Sequence, residues 1–396
     1  MDIAKTAEKC ETNGGLGAGS TAYVWRLAGK LLLHDPIKFS VACAGVSVSV
    51  LLMLAQIGLY LGFMRNASAL IDNSQADIWL TGIGNESFDS AAPMSERALD
   101  RIAALPGVER VEGVILAFGQ FRLPSGGAQT VQVVGLQRNA RLLVPWNVVA
   151  GDSRRIAQAG GITIDREELT KLQTFDVGER REVSGVRASV VGMTSGIRSF
   201  TTAPFIFTNI HDARAYTHLR PDQITYALVQ ASPGVSHAAL LERLNQLPHL
   251  AAFDTGFFSA RAQKYWSKRT GVGVGFFMNA AMGVLVGLVV VGQILYNATL
   301  EHYREYGTLK AMGATNGLIV RLILSQAFFS AVAGLACGGS LAVLVRLLLK
   351  HANLNVVLSP ALIAGTTLLT FVMCSVAALL AISKVLRLDP STVLAS

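Results

Sequence analysis

The sequence predicts a membrane protein with four transmembrane α-helices and a large α+β domain exported between the first and second of them. Three observations carry that prediction. Residues 39–63, 271–298, 322–345 and 359–383 contain no charged side chain, and each run exceeds the roughly 20 residues a helix needs to cross the hydrocarbon core. The whole chain of 396 residues is 51% hydrophobic and only 15% charged, too apolar for an ordinary soluble protein. Between the first two apolar runs lie about 200 residues of near-balanced charge with alternating strand and helix patterns, long enough to bury a core of their own.

Taken in order, residues 1–38 form the N-terminal segment, expected on the cytoplasmic side. Its first 20 residues are polar and Gly-rich, with little to pack. "TAYVWRLAGKLLLHDPIK" then sets Val24, Leu27, Ala28 and Leu31 on one helical face, with Arg26 and Lys30 off it. That is the pattern of a helix lying in the membrane interface, with Trp25 at headgroup depth and Pro36 turning the chain into the first span. Residues 39–64 are that span. Acids precede it and it is too long for the apolar stretch of a signal peptide, so a permanent anchor is expected.

Residues 65–270 are the exported domain. Strand-like runs are "ADIWLTG", "VERVEGVILAFGQFRL", "TVQVVGLQ", "ITID", "RASVVGMT", "APFIFTN" and "ITYALVQ". "SERALDRIAAL", with Ser95 as its N-cap, and "VSHAALLERLNQL" read as helices. The ends, "MRNASALIDN" and "FFSARAQKYWSKRT", also read as helical, so the first two spans are expected to continue outward as stalks. Residues 271–298, 322–345 and 359–383 are the second to fourth spans. A loop at 299–321, a short exported loop at 346–358 and a tail at 384–396 complete the chain.

Basic residues orient it. Lys5, Lys9, Arg26, Lys30 and Lys38 precede the first span, Arg304, Lys310 and Arg321 lie between the second and third, and Lys384 and Arg387 follow the fourth. Positive charge on the non-translocated side places both termini and the 299–321 loop in the cytoplasm. The same distribution argues against nucleic acid as the reason for the formal charge of +8. The exported region has no cysteine, so no disulfide framework supports it.

Several function classes lose their footing here. There is no G-x-S-x-G, H-E-x-x-H or C-x-x-C, and His211, His218, His237 and His249 lack metal-ligand spacing, so neither a catalytic cluster nor a metal site is expected. "GVGVG" at 271–275 opens a span without a following Lys and suits helix packing. No Walker A sequence occurs, so the chain is not expected to bind or hydrolyse a nucleotide itself. An ion-coupled carrier needs ionisable groups in the membrane, whereas the notable polar groups here are Gln56, Gln293 and Gln326.

The loop between the second and third spans reads "EHYREYGTLKAMGAT", residues 301–315. As a helix it aligns Tyr303, Tyr306, Leu309 and Met312 or Gly313 in one stripe. Glu301 and Glu305 suit the positive end of its dipole, and Lys310 lies later. Gly307 and Gly313 leave room for another backbone, and Gly313 also suits a C-cap. Such a helix either docks onto a partner or rests among headgroups.

"REYGTLKAMGAT" (304–315) resembles the cytoplasmic motif of the FtsX-like permeases of ABC transporters, approximately R-x-x-E-x-G-x-L-[RK]-A-[ML]-G-A, and the match is strongest from Glu305 onward. "DPSTVLAS" at the C-terminus is similar to that family's usual ending. "LPGVERVEGV" resembles the start of the exported core in MacB-type members, while "ADIWLTG", "GGITIDREEL" and "GIRSFTTAPFIFTN" look closer to the DevC branch. The resemblance implies an inner-membrane permease subunit of a MacB/DevC-type exporter, a non-catalytic chain with no cofactor of its own. Its implied partners are a separate ABC ATPase subunit that holds ATP, a second permease copy and a membrane-fusion (HlyD-like) adaptor. It further implies that Glu301, Arg304, Glu305, Tyr306, Gly307, Leu309, Lys310 and Gly313 couple to the ATPase. "GIRSFTTAPF" (196–205) reads either as a loop and strand or as an adaptor or substrate contact through Arg198, Phe200 and Thr201. A lipoprotein-releasing permease and an FtsX-type activator of an envelope hydrolase are the alternative readings.

The topology is directly testable. Single cysteines at Ser125 and Ser232 should react with a membrane-impermeant thiol reagent in intact spheroplasts, and one at Thr315 should not. Labelling at all three positions would refute the four-span arrangement.

Overall fold

The computed structural model describes residues 28–29, 36–89, 91–301, 315–351 and 356–385. The chain divides into two units, Gly62–Val274 and the remainder on either side of it. The first long helix, α1 (Pro36–Ala67), is followed by a single turn, α2 (Ala69–Asp72). The domain then runs β1 (Ile78–Gly82), β2 (Met94–Ser95), α3 (Ala98–Ala103), β3 (Val108–Arg122), β4 (Ala128–Leu136), β5 (Val148–Gly151) and β6 (Gly161–Asp165). It continues with α4 (Leu169–Leu172), β7 (Arg180–Val183), β8 (Val186–Thr194), β9 (Phe205–Asn209), α5 (Ile210–Thr217), β10 (Gln223–Ile224), β11 (Tyr226–Ala231), α6 (His237–Asn245), β12 (Leu250–Asp254) and α7 (Thr255–Lys264).

Strand β3 organises the domain because it is long enough to serve two groups of strands. Its first half, from Val108 to Val114, pairs antiparallel with β11, giving the order β12-β1-β11-β3. Helix α3 connects β1 to β3 and α6 connects β11 to β12, which makes a βαββαβ unit. The second half of β3 pairs with β4 from Val114↔Leu136 to Arg122↔Ala128. From β4 the pairing passes through β9, β6, β8 and β7, and β7 returns to β3 at Phe121↔Val183, so six strands close a circuit. Strand β5 adds to β8 at the edge.

Alternation along the strands supplies apolar side chains to both faces. Ile78, Leu80, Ile115, Ala227 and Val229 face one core with Leu99, Ile102, Leu240 and Leu244 from α3 and α6. Trp79, Val114, Leu116, Tyr226 and Leu228 face the other, with Phe258 of α7. There the Trp79 ring lies 5.7 Å from Phe88, 5.5 Å from Tyr226 and 5.8 Å from Phe258, distances at which aromatic pairs add to area burial.

One cap differs from the sequence reading. Ser95 lies in β2, which pairs with β10 through Ser95↔Gln223 and Met94↔Ile224. That pairing holds Ser95 extended, so α3 starts later, at Ala98, and the Ser95 hydroxyl only accepts from the Arg97 N–H at 3.4 Å. Helix α5 was not signalled by periodicity. It is started by Asn209, whose side chain accepts from the Asp212 N–H at 2.9 Å, and ended by His218 in the left-handed region (φ 56°).

After α7 the chain makes a π-helical turn, Tyr265–Arg269, before the second long apolar helix, α8 (Val272–Glu301). The third and fourth are α9 (Asn316–His351) and α10 (Pro360–Val385). All four long helices are apolar enough to cross a membrane. In the membrane unit, α1 packs closely against α9. Ser47 donates its hydroxyl to the carbonyls of Cys43 (2.6 Å) and of Gly334 on α9 (3.3 Å). Gly334 and Gly338 form a small-xxx-small face that lets α9 approach α1. A Cβ at Gly334 would run into Val46, and one at Gly338 would stand 2.6 Å from the Ser47 carbonyl oxygen and 2.8 Å from the Val50 Cβ. The Phe328 and Phe371 rings stack 5.2 Å apart between α9 and α10. The interfacial helix expected before Pro36, apart from Ala28 and Gly29, lies outside the described residues, as do 302–314, 352–355 and the tail from 386.

This packing gives a contrast between adjacent glycines. Gly338→Ala should lower the stability of the detergent-solubilised protein by about 1–3 kcal/mol, because a backbone carbonyl blocks the new methyl. Gly339→Ala, with nothing within 4 Å of its Cβ position, should be neutral or slightly stabilising. Paired thermal melts measure the difference, and equal melting temperatures would contradict the close approach.

Candidate functional site

The two ends of the domain, α1–α2 on one side and α7 with its π turn on the other, are joined to each other and to the sheet. The Ser68 hydroxyl donates to Asp72 Oδ2 (2.6 Å) and accepts from Gln263 Nε2 of α7 (2.8 Å). Thr255, the first residue of α7, donates its hydroxyl to the Ala76 carbonyl at 2.6 Å, and its N–H donates to Asp77 O at 3.0 Å. These bonds hold both ends against β1.

The focus is Trp266 in the π turn, a type of local distortion that recurs at functional sites. Its indole N–H donates to Asp89 Oδ2 at 2.8 Å. The other carboxylate oxygen of Asp89 accepts from Gln132 Nε2 at 3.0 Å. Gln132 is fully buried in β4, and its Oε1 accepts from the Ser199 hydroxyl at 2.7 Å. Ser199 is also 2.7 Å from the Thr201 hydroxyl. Next along the chain, Phe200 lays its ring against Trp266 with centroids 4.2 Å apart and meets the Phe63 ring of α1 edge-on at 5.9 Å. The indole is thus held at its N–H by a carboxylate and on its face by Phe200, and Phe200 also touches the other end of the domain.

The 195–204 loop that carries Ser199 and Phe200 is itself fixed. Asp165, at the end of β6 and buried, accepts from the N–H groups of Glu167 (3.0 Å), Gly196 (3.3 Å) and Ile197 (2.8 Å) and from the Thr194 hydroxyl (3.0 Å). Arg198 forms an ion pair with Glu167. A buried carboxylate accepting several N–H groups is a strong anchor for a loop.

Asp89 is the electrostatic exception. It is 4% exposed, and no Lys or Arg pairs with it among the described residues. Burial pushes its carboxyl above the usual carboxylate range, opposed by the hydrogen bonds from Gln132 and Trp266. The Tyr226 hydroxyl, donating to Phe88 O at 2.7 Å, is pushed up by burial first and then by the Asp89 charge. The arrangement grips; it offers no nucleophile beside a base.

Of the residues singled out in the sequence, Arg198, Phe200 and Thr201 share this loop, and each has an intradomain partner. Glu301 ends α8, whereas Arg304, Glu305, Tyr306, Gly307, Leu309, Lys310 and Gly313 lie outside the described residues. Sequence reasoning missed Asp89, Gln132, Asp165 and Trp266. A glutamine inside the apolar run "TVQVVGL" and a tryptophan just before a span were the available signals; Asp89 had none.

Trp266→Phe keeps the ring contact with Phe200 but leaves a buried carboxylate short of a donor, and should cost about 1–3 kcal/mol. Because the Asp89 pKa is raised in the fold, its contribution to stability is present below the ordinary carboxylate range and is lost as pH rises through the raised value. Asp89→Asn, which turns one of the two acceptor oxygens into a donor, should remove this pH dependence, so that wild type loses stability relative to the variant as pH rises from about 4. Melts across that range test the sign; a variant that is destabilised only at neutral pH would reverse it.

Two family models match the chain: the MacB-like periplasmic core domain over residues 39–247 and the FtsX-like permease C-terminal model over residues 277–390. Among curated proteins, the chain is similar to the pyoverdine export ATP-binding/permease protein PvdT of Pseudomonas putida, at 24% identity over 324 residues, covering 77% of this chain and 49% of that protein. The PvdT of Pseudomonas fluorescens matches at 22% identity over 414 aligned positions, 100% of this chain and 63% of that protein. The chain thus spans between about half and under two thirds of the length of these relatives. Among solved structures, the periplasmic region of MacB from Actinobacillus actinomycetemcomitans aligns at 11% identity and TM-score 0.36, covering 48% of this chain and 94% of that one. The extracellular domain of the transporter YknZ aligns at 12% identity and TM-score 0.34, covering 45% and 99%. The two family models leave out little of the chain between residues 39 and 390, and the chain belongs to the FtsX-like ABC transporter permeases with a MacB-like periplasmic core domain.

Proposed function

We propose that this chain is the permease subunit of a MacB/DevC-type ABC exporter that passes ATPase-driven motion to its periplasmic domain. The ATP is held by a separate ATPase subunit, and this chain performs no catalysis of its own. A second copy of the permease and a membrane-fusion adaptor complete the assembly, with both termini of this chain in the cytoplasm. The observation that carries the reading is the grip on Trp266. A subunit that transmits movement needs its stalks fastened to the domain they drive. Here Asp89, Gln132 and Ser199 fasten one end to the sheet, while Phe200 bridges Trp266 and Phe63. The absence of charge from the four apolar stretches supports movement of the domain over an ion path through the bilayer. The names of the relatives add export as the direction of transport.

On this reading Arg198, Phe200 and Thr201 serve inside the domain rather than as an adaptor contact, because their partners are already intramolecular. Residues 301–313 are the coupling helix, with Leu309 as its apolar anchor and Tyr306 beside it. Glu301, Glu305, Arg304 and Lys310 set register by charge pairing at the rim. Gly307 admits the ATPase backbone, and Gly313 lets the chain turn toward α9.

Leu309→Asp should weaken capture of the ATPase subunit by roughly a hundredfold, since losing a central anchor costs a few kcal/mol. Membrane insertion and permease self-association should stay unchanged. The test is a pull-down from membranes with the variant at wild-type abundance, beside an ATP-hydrolysis assay of the purified permease alone, which should read zero. Full ATPase capture and full transport by the variant would overturn the coupling role.

A further inference from the structure

The segments by which the chain enters and leaves the periplasmic domain are basic in a way that transport does not explain. Residues 62–68 carry Arg65, residues 262–271 carry Lys264, Lys268 and Arg269, and neither segment holds an Asp or Glu. Membrane-flanking cations normally collect on the opposite, non-translocated side. All four are exposed. Among the described residues only Arg269 has an acidic partner, Glu86 at 3.2 Å, and both side chains of that pair are about two-thirds exposed (66% and 62%), so the pair does little to neutralise the surface.

The same contacts that fasten the stalks gather these cations into one belt. Gln263, next to Lys264, bonds to Ser68, three residues beyond Arg65. Phe200 touches both Phe63 and Trp266, which flank Arg65 and Lys268 in the sequence. Between the cations of the second segment stands Tyr265, an aromatic residue of the kind that settles among headgroups. α8 begins at Val272, within one turn of Arg269. Long basic side chains at a membrane edge can reach a phosphate layer by stretching their aliphatic stems along the interface.

We propose that Arg65, Lys264, Lys268 and Arg269 form a binding belt for the phosphate groups of anionic phospholipid headgroups on the periplasmic face of the membrane. The chemistry is several point charges at the surface, each lowering the free energy of an anionic lipid against a zwitterionic one. The belt holds the stalk ends at a fixed depth and enriches anionic lipid around them. This proposal rests on the four-span fold and not on the transport reading, so the two fail separately.

The test uses the full chain purified in a neutral detergent at low ionic strength, mixed with equimolar phosphatidylglycerol and phosphatidylcholine of matched acyl chains. Native mass spectrometry counts the lipids retained. Wild type should retain phosphatidylglycerol preferentially. Each cation removed should lower that preference by roughly fivefold, the factor that corresponds to about 1 kcal/mol per basic residue near an anionic surface, so the Arg65→Gln/Lys264→Gln/Lys268→Gln protein should show almost none. A charge-matched control, Arg138→Gln/Arg180→Gln/Arg187→Gln, removes three exposed cations from β7, β8 and the turn after β4 and should keep the wild-type preference. Inorganic phosphate at matched ionic strength should not displace the lipid. Equal retention of the two lipids by wild type, equal loss in both triple variants, or displacement by free phosphate would each overturn the belt. Single Lys268→Gln protein, compared by melting temperature and lipid ratio, keeps the outcome readable if the triple variant does not fold.

Discussion

The indole of Trp266 is the point at which the last segment of the domain is fastened to the rest of it. It is held in two chemically different ways: a charge-assisted hydrogen bond from its N–H to Asp89, and ring contact with Phe200. Either alone would permit sliding or rotation. Together they fix the ring in position and orientation, and through it the π turn that leads into α8. The grip on Phe200 then depends on the loop, and the loop depends on Asp165, whose carboxylate collects three backbone N–H groups and a hydroxyl. A carboxylate buried among neutral donors is costly to leave half-satisfied, so the network holds as a whole or opens as a whole.

Such coupling is what the proposed transmission of movement would need. A network of independent weak contacts would yield gradually, whereas Asp89, Gln132 and Ser199 are bonded in series, so loss of one bond leaves the next group short of a partner. The membrane unit is built for the same kind of firmness by other means. Gly334 and Gly338 bring α9 against α1 so closely that the Ser47 hydroxyl reaches a backbone carbonyl of the neighbouring helix. Helix α1 itself is unbroken from Pro36 to Ala67.

Much of the fold was legible because it rests on local signals. The four spans are written in charge-free length, and β1, β3, β4, β6, β8, β9 and β11 in β-branched and aromatic runs. The shorter strands were not. β5 and β7 are four residues long, and β2 and β10 two each; partners distant in sequence decide them, not their own composition. Ser95 shows the same override, since pairing with β10 displaces a good capping residue from the helix start. The candidate site was legible only in part. Phe200 and Arg198 stood out as loop residues open to a contact role, but their partners come from residues 63, 167 and 266, and no pattern along the chain announces that meeting. Asp89 was the least visible, an ordinary acid in an ordinary loop until burial gives it meaning.

The pairing of β1 has a consequence for how the protein is made. Both neighbours of β1 are late: Ile78 pairs with Val229 on one side and with Asp254 on the other. An apolar strand is thus synthesised early and waits, with both edges open, while the six-strand circuit between β3 and β9 is made and can close on itself. Open strand edges invite pairing with other chains, and contacts this distant in sequence form slowly. The last strand of the sheet ends at Asp254, shortly before the second long helix begins at Val272, so little chain separates the completed sheet from the last three helices. In the interval before β11 and β12 are made, the edges of β1 have no partner within the chain, and the length of that interval is set by strand order.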